Sequence, residues 1–127
     1  MNKVPQDLSG WKEEEMIKYA EELGRRFARQ KKITTSQLRN VFSDINRIRM
    51  EWKFGELEED RLPKELLLLK PKLAYAAGRH ANVKELKNEL EKAIDAVVKS
   101  SNIKAAADNF FRFVESVVAY HKYYGGK

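Results

Sequence analysis

Residues Asn102–Tyr124, with the sequence NIKAAADNFFRFVESVVAYHKYY, form the stretch around which the rest of the chain is predicted to pack. Placed on a helix at about 100° per residue, its apolar side chains cover close to half of the circumference. These side chains are Ile103, Ala107, Phe110, Phe111, Phe113, Val114, Val117, Val118 and Tyr120. Because a surface helix needs an apolar stripe only about 100° wide, the stretch predicts a central helix that contacts several neighbours. Alternatively, part of this face is left for a second protein.

Four further segments with apolar residues at helical spacing precede this stretch. They predict helices at about Trp11–Gln30, Thr35–Phe54, Pro63–Ala77 and Val83–Lys99. No segment alternates apolar and polar residues with β-branched enrichment, so no strand is expected. The predicted fold class is therefore all-α, a compact five-helix bundle with a central C-terminal helix.

Local signals mark several of the helix ends. The tetrapeptide Thr34–Gln37 is a capping-box pattern at the start of the second helix, and Gly55 suits the end of that helix. Pro71 falls inside the third predicted helix, where it removes one backbone hydrogen bond. A kink or two short helices are therefore expected there. Asn82 and Glu85 give a second capping signal before the fourth helix.

The length of 127 residues suits one domain, which is predicted over residues 11–127. Residues 1–10 are predicted to form a loose arm, because Pro5 and Gly10 interrupt them. No cysteine is present, which excludes disulfides and thiolate metal sites. Apolar runs such as Leu66–Leu69 are far shorter than the roughly 20 residues that span a bilayer, and no signal peptide is visible at the start. A soluble, cytoplasmic protein without membrane contact is expected.

The formal net charge is +6 and the isoelectric point is about 9.5. Residues 1–60 carry 12 Lys and Arg against 12 Asp and Glu, whereas residues 61–127 carry 13 against 7 and hold the whole excess. A basic balance favours polyanionic partners, as a general attraction and not as a sequence code.

No catalytic constellation is recognisable in the sequence. Glycine motifs that bind phosphate and the H-E-x-x-H metal motif are both missing. His121 lies on an apolar face without a nucleophile to activate, so a satisfied core or helix-end role is expected. His80 follows a predicted helix end, where an electrostatic role and RNA contact are both possible. The chain is predicted to be no enzyme and to hold no cofactor or metal.

Basic residues along the second and third helices predict a possible RNA-binding surface. The candidate residues are Arg39, Arg47, Arg49, Lys53, Lys70, Lys72 and Arg79. Arg and Lys bind phosphates through charge-assisted bonds without reading sequence, and Tyr75 or the tail tyrosines could stack on unpaired bases. The alternative is that these cations are ordinary solvated charges of inert helices.

Three segments resemble a known family. They are T-T-S-Q-L-R at Thr34–Arg39, L-L-K-P-K-L-A-Y-A-A-G-R at Leu68–Arg79, and F-F-x-F-x-E followed by A-Y-H-K-Y-Y-G-G within Phe110–Gly126. In this order they resemble the small helical subunit of the type III-A CRISPR effector, the Csm complex. The resemblance covers roughly Ile33 to Lys127.

The resemblance implies a non-catalytic subunit in antiviral defence. Its copies would stack head to tail in a short filament beside the backbone subunits that carry the crRNA. Together the two filaments would hold the crRNA–target RNA duplex, with basic residues of the small subunit touching mainly the target strand. RNA cleavage would belong to the backbone subunits, and DNA cleavage and cyclic oligoadenylate synthesis to the large polymerase-like subunit.

The implied partners are crRNA and target RNA, the other Csm subunits and copies of the chain itself. Carried over by segment, the first motif and the helix that continues it supply Arg39, Arg47, Arg49 and Lys53. The second motif supplies the remaining candidates, Lys70, Lys72 and Arg79. Two alternatives stay open: a helical protein-interaction module without RNA contact, and an enzyme that depends on His121.

Overall fold

The computed structural model describes residues 3–127 and folds them into six α-helices, with short 3-10 turns at Leu8–Gly10 and Ala81–Val83. The helices are α1 (Glu13–Arg29), α2 (Thr35–Lys53), α3 (Leu62–Leu67), α4 (Leu69–Arg79), α5 (Lys84–Val98) and α6 (Ile103–Tyr123). Residues 3–127 contain no strand. The predicted all-α class is confirmed, and α3 and α4 together occupy the third predicted helix. In the described part, no helix is long and apolar enough to cross a membrane.

Helix α6 is the centre of the bundle, as predicted. It runs along α1 and also contacts the first 3-10 turn, α2 and α5. Its buried face includes Ala106, Phe110, Phe113 and Val117. The apolar stripe seen in the sequence is wider than the buried face, because Val118 remains 36% exposed.

A glycine allows α1 and α6 to approach each other closely. A Cβ atom built on Gly24 of α1 would lie 2.6 Å from Cβ of Tyr120 and 2.8 Å from the backbone nitrogen of His121. These distances are shorter than van der Waals contact, so no larger residue fits without moving the helices apart. The backbones of α1 and α6 therefore meet at a point that the apolar periodicity did not reveal.

The capping box of α2 is confirmed. Thr34 Oγ1 accepts a hydrogen bond from the backbone nitrogen of Gln37 at 3.1 Å, and Gln37 Oε1 accepts one from the Thr34 nitrogen at 3.0 Å. At the other end, Gly55 takes a positive φ of 74° just past the C-cap, which a residue with a Cβ adopts only with strain. Both ends of α2 are thus set by local sequence.

The break expected around Pro71 takes the two-helix form, with α3 ending at Leu67 and α4 beginning at Leu69. Pro71 cannot donate a hydrogen bond to the carbonyl of Leu67. It lies in the first turn of α4, where a backbone N–H has no intrahelical acceptor. The proline is therefore tolerated at the start of a new helix instead of in the middle of a longer one.

The second capping signal is wrong. The N-cap of α5 is Val83, which makes no side-chain capping bond. The side chain of Asn82 instead donates from Nδ2 to Gln37 Oε1 at 2.9 Å and to the carbonyl of Lys32 at 3.4 Å. Asn82 thereby ties the start of α5 to the start of α2, a long-range contact that outweighs the local capping pattern.

The expectation of a loose arm is wrong for residues 4–10. Val4 and Leu8 are buried in the core, and the Leu8 carbonyl accepts a 2.9 Å hydrogen bond from Asn109 Nδ2 of α6. The Asp7 carboxylate accepts hydrogen bonds from Ser100 Oγ at 2.6 Å and from the Ser101 backbone nitrogen at 3.2 Å. These Asp7 hydrogen bonds, here called the Asp7 clasp, and the buried apolar side chains hold the segment to the bundle. The single domain at 11–127 stays a prediction.

Replacing Gly24 with Ala should lower the free energy of unfolding by about 1–3 kcal/mol, because the added methyl group overpacks the α1/α6 contact. The matched control is Gly78→Ala near the end of α4, where a Cβ meets nothing within 4 Å. Helix propensity alone favours Ala over Gly by about 1 kcal/mol, so this control should be neutral or stabilising. Urea unfolding measures the free energy of unfolding of both variants. Equal changes in the two would contradict the close approach of α1 and α6 at Gly24.

The Asp7 clasp should make stability depend on pH in the acid range. Hydrogen bonds from Ser100 and then from Ser9 hold the pKa of the Asp7 carboxyl well below its usual range. A lowered pKa in the folded state adds stability at neutral pH, which is lost as the pH falls below about 4. Asp7→Ala should therefore lower the melting temperature at pH 7, with a difference from the parent chain that shrinks in acid. Glu56→Ala, which removes an exposed carboxylate, should show neither effect.

Candidate nucleic-acid interface

Helix α2 lies between two open grooves, and four of the seven predicted cations line them, Arg49 and Lys53 in one and Lys72 and Arg79 in the other. On one side, the C-terminal half of α2 and the N-terminal half of α6 enclose a cleft of about 790 Å³, here called the α2/α6 cleft. On the other side, α2 and α4 enclose a groove of about 390 Å³, here called the α2/α4 groove. Because side chains on opposite flanks of one helix face different directions, no single groove collects all seven residues.

The α2/α6 cleft holds Arg49 and Lys53 from α2 and two cations from α6, Lys104 and Arg112, which are not among the seven residues predicted from the sequence. The residues lining it are Arg49, Trp52, Lys53, Gly55, Leu57, Glu59, Lys104, Asp108, Phe111, Arg112 and Glu115. The spacing of Lys104 and Arg112, two helical turns apart on one face, was the signal that could have placed them together. Four cations face three carboxylates across this cleft.

Arg49 is the most confined of the predicted residues. Its side chain is 31% exposed, and its Nη1 lies 2.7 Å from Glu115 Oε1 of α6. Its Nε is buried and has no hydrogen-bond partner within residues 3–127. An unpaired buried donor costs about 1–3 kcal/mol, and this nitrogen is shielded from outside acceptors in the folded chain. Arg49 thus joins α2 to α6.

Arg39 and Lys53 lie on the same flank of α2 and are both exposed. Neither forms an ion pair or a side-chain hydrogen bond with any described residue, although Lys53 Nζ lies 5.9 Å from the ring centroid of Phe54. The 14 positions between them correspond to about 21 Å of helix. Arg39 also borders a third depression, a mainly apolar groove between the N-terminal half of α2 and the C-terminal half of α6.

Lys72 and Arg79 line the α2/α4 groove together with Tyr75 and His80. Lys72 Nζ lies 2.9 Å from Asp44 Oδ2, although its side chain is 63% exposed. Arg79 is exposed and has no ion-pair partner in the part of the chain described. Tyr75 is exposed beside them and presents an aromatic face to solvent. Exposed ion pairs of this kind contribute little stability, so Lys72 can exchange its carboxylate partner for another anion.

Two further predicted residues also form ion pairs between helices. Lys70 Nζ lies 2.6 Å from Asp95 Oδ1 and joins α4 to α5. Arg47 lies within 3.4 Å of Glu51 Oε2 and 3.9 Å of Glu65 Oε1, which joins α2 to α3. Of the seven candidates, Arg39, Lys53 and Arg79 are thus exposed cations without an ion pair among residues 3–127, whereas the other four are paired.

His121 is a buried structural residue, as expected. It is almost fully buried, and its Nε2 lies 2.6 Å from the carbonyl oxygen of Ile33 in the α1–α2 loop. The backbone nitrogen of Gly126 donates to the His121 carbonyl at 2.9 Å, which folds the tail back over the end of α6. Within the described residues, no three histidine or carboxylate side chains converge as metal ligands would.

Tyr123 and Tyr124, at the end of α6, differ in their exposure to solvent. Tyr124 donates a 2.6 Å hydrogen bond to Glu21 Oε2 of α1, and this bond raises the pKa of the Tyr124 phenol. The guanidinium of Arg29 lies 4.9 Å from the centroid of the same ring. Tyr123 is exposed. The tail therefore packs on α1 through Tyr124 and leaves Tyr123 accessible to a partner.

Comparisons with known proteins agree with the resemblance read from the sequence. A family model described as Csm2 Type III-A matches residues 11–127. A protein named CRISPR system Cms protein Csm2 from Streptococcus thermophilus is 36% identical over 99 residues, which cover 75% of this chain and 75% of that protein. A protein of the same name from Enterococcus italicus is 35% identical over 97 residues, covering 72% and 68%. No solved structure matches this chain.

Proposed function

Since this chain belongs to the Csm2 Type III-A family, we propose that it is the non-catalytic small subunit of a type III-A CRISPR ribonucleoprotein. In this role it stacks with copies of itself and holds the crRNA–target RNA duplex, mainly by its target strand, during antiviral defence in the cytoplasm. Its protein partners are the backbone subunits and the large polymerase-like subunit of the same complex. It supplies positive charge and shape, and it breaks no bond.

The observation that carries the RNA role is the exposure of three cations without ion pairs, Arg39, Lys53 and Arg79. The same surface also holds the partly exposed guanidinium of Arg49, paired with Glu115. About 21 Å separates Arg39 from Lys53 along α2, a distance that matches several phosphates of one strand. Charge-assisted bonds to phosphates do not distinguish bases. This suits a subunit that must accept any target sequence.

The solvent-exposed ridge of α2 lies between the α2/α6 cleft and the α2/α4 groove. A nucleic-acid strand that crosses this ridge reaches Arg39 and Lys53 on one side and Arg79 on the other. Tyr75, exposed in the α2/α4 groove, is placed to stack on an unpaired base. A single chain offers few such contacts, so copies lined up along one strand gain affinity by avidity.

The absence of catalysis is supported by the setting of His121. Its Nε2 lies against a backbone carbonyl in the interior, where it can neither reach a substrate nor receive a proton from a nucleophile. A second candidate function is a protein-interaction module without RNA contact. The ion pairs of Arg47, Arg49, Lys70 and Lys72 favour that candidate, and crosslinking of the assembled complex to protein only would support it.

Replacing Arg39, Lys53 and Arg79 together with Ala should weaken target-RNA binding by the reconstituted Csm complex at least about tenfold at low salt. The slope of log affinity against log salt should fall by about 0.7 to 0.9 for each lost phosphate contact. Fluorescence anisotropy over a salt series measures both quantities.

A matched control removes the same charge elsewhere. Lys12, Lys18 and Lys84 are exposed lysines without ion pairs in the described chain, at the starts or outer faces of α1 and α5. Their replacement with Ala also lowers the net charge by three, yet it should leave RNA affinity nearly unchanged. If both triple variants lost the same RNA affinity, the loss would be an effect of net charge alone, and the assigned surface would be contradicted.

Glu115→Gln should strengthen RNA binding by the complex roughly two- to fivefold at low salt. The change releases Arg49 from its ion pair and removes a carboxylate that repels phosphates. Adding Arg49→Ala should abolish the gain. Glu91→Gln breaks the Lys87–Glu91 pair on α5 with the same charge change and should have no effect. A similar gain from both glutamines would show that Arg49 does not contact RNA.

A further inference from the structure

The apolar groove beside Arg39 has no partner within the described residues. It occupies about 480 Å³ between the N-terminal half of α2 and the C-terminal half of α6. Leu38, Phe42 and Val118 form its apolar floor, and Arg39 and Lys122 stand at its rim. No acidic side chain lines it. The groove therefore suits a partner surface on which an apolar side chain is flanked by negatively charged residues.

An exposed apolar side chain beside carboxylates is found at the opposite end of α2. Phe54 is 62% exposed, and Met50, one turn earlier, is 42% exposed. The connector that follows contains Glu56, Glu58, Glu59 and Asp60, which are all exposed and form no ion pair with any described residue. Unpaired carboxylates cluster here although the whole chain has a net charge of +6. Met50, Phe54 and residues 56–60 are called the acidic knob.

We propose that the acidic knob of one copy docks in the apolar groove of a second copy. Phe54 fills the groove as an aromatic anchor, the kind of side chain that contributes most to binding when it enters a pocket. The connector carboxylates then meet Lys122 at the rim, where opposite charges select the partner and its orientation, and Arg39 stays available to RNA. An RNA strand is a poorer occupant, because phosphates gain nothing from an apolar floor.

The positions of knob and groove determine the geometry of the contact. Twelve residues separate Phe42 in the groove from Phe54 in the knob, which is about 18 Å along α2. Since the two surfaces are different and lie toward opposite ends of one helix, the contact is heterologous and is repeated from copy to copy. This inference rests on the proposed stacking of copies and names the surfaces that would make it. One aromatic anchor with a charged rim predicts weak association of the free chain and tighter contact along RNA.

Introduced single cysteines test the docking, because the chain has no cysteine of its own that could form other disulfides. Met50→Cys marks the knob beside Phe54, and Val118→Cys marks the floor of the groove. Oxidation of an equal mixture of the two full-length variants, and of complexes assembled from them, should give mixed 50–118 disulfides. These should exceed 50–50 and 118–118 disulfides at least about tenfold. Ile17→Cys on α1, with an exposure of 38% close to that of Val118, is the matched control and should give none.

Phe54→Ala added to the Met50→Cys chain should reduce the mixed disulfide at least about tenfold. The Phe54 side chain is mostly exposed, so this variant keeps the fold. Lys122→Glu should also reduce the disulfide, and Glu58→Lys with Glu59→Lys in the partner should restore it. Mixed disulfides that persist after Phe54→Ala, 118–118 disulfides alone, or crosslinking of position 118 to RNA would each overturn the docking.

The outcomes separate this inference from the RNA role. Loss of RNA affinity in the variant lacking Arg39, Lys53 and Arg79, with the 50–118 disulfide absent from the parent complex, supports RNA contact and overturns the docking. Formation of the disulfide by chains whose RNA affinity does not respond to those three cations supports the docking and overturns the RNA role.

Discussion

The close contact between α1 and α6 at Gly24 is the constraint on which the other helices depend. With no side chain at that position, the two backbones approach until Tyr120 and His121 of α6 lie against α1. Phe27, Phe110 and Phe113 are fully or almost fully buried, as dense packing around a short interhelical distance requires. The remaining helices are arranged around this pair. The packing of α1 on α6 therefore depends on the absence of a side chain at Gly24 as well as on the buried aromatic residues.

The position of α2 follows from the same contact. His121, located by Gly24, binds the carbonyl of Ile33 just before the capping box of α2. Asn82 then links the start of α5 to that box through Gln37. Helix α2 is thus attached at its N-terminus by two buried or half-buried polar contacts and rests on the bundle by one apolar face. Both of its flanks border grooves, and the candidate interface depends on this arrangement.

Ion pairs separate the cations into two groups. Those of Arg47 and Lys70 join neighbouring helices, whereas Arg39, Lys53 and Arg79 are left for solvent or a partner. The acids are separated in the same way, because residues 56–60 hold carboxylates that no described cation neutralises. Helix α2 consequently has the unpaired Arg39 near its N-terminus and an acidic surface beyond its C-terminal end. Complementary charges of this kind can fix the orientation of a bound partner.

The sequence by itself determined the all-α class, the central C-terminal helix, the capping box of α2, the break near Pro71 and the buried role of His121. Each of these follows from interactions within a few residues or from the 3.6-residue period of a helix. Only the tertiary structure decided that Leu8 is buried, that Asn82 binds Gln37 instead of capping its own helix, and that Lys104 and Arg112 join Arg49 and Lys53 in one cleft. It also decided which cations are paired, because Arg49 meets Glu115 and Lys70 meets Asp95 across helices far apart in sequence. Periodicity assigns a side chain to a face of its own helix, but its partner depends on how that helix packs against the others.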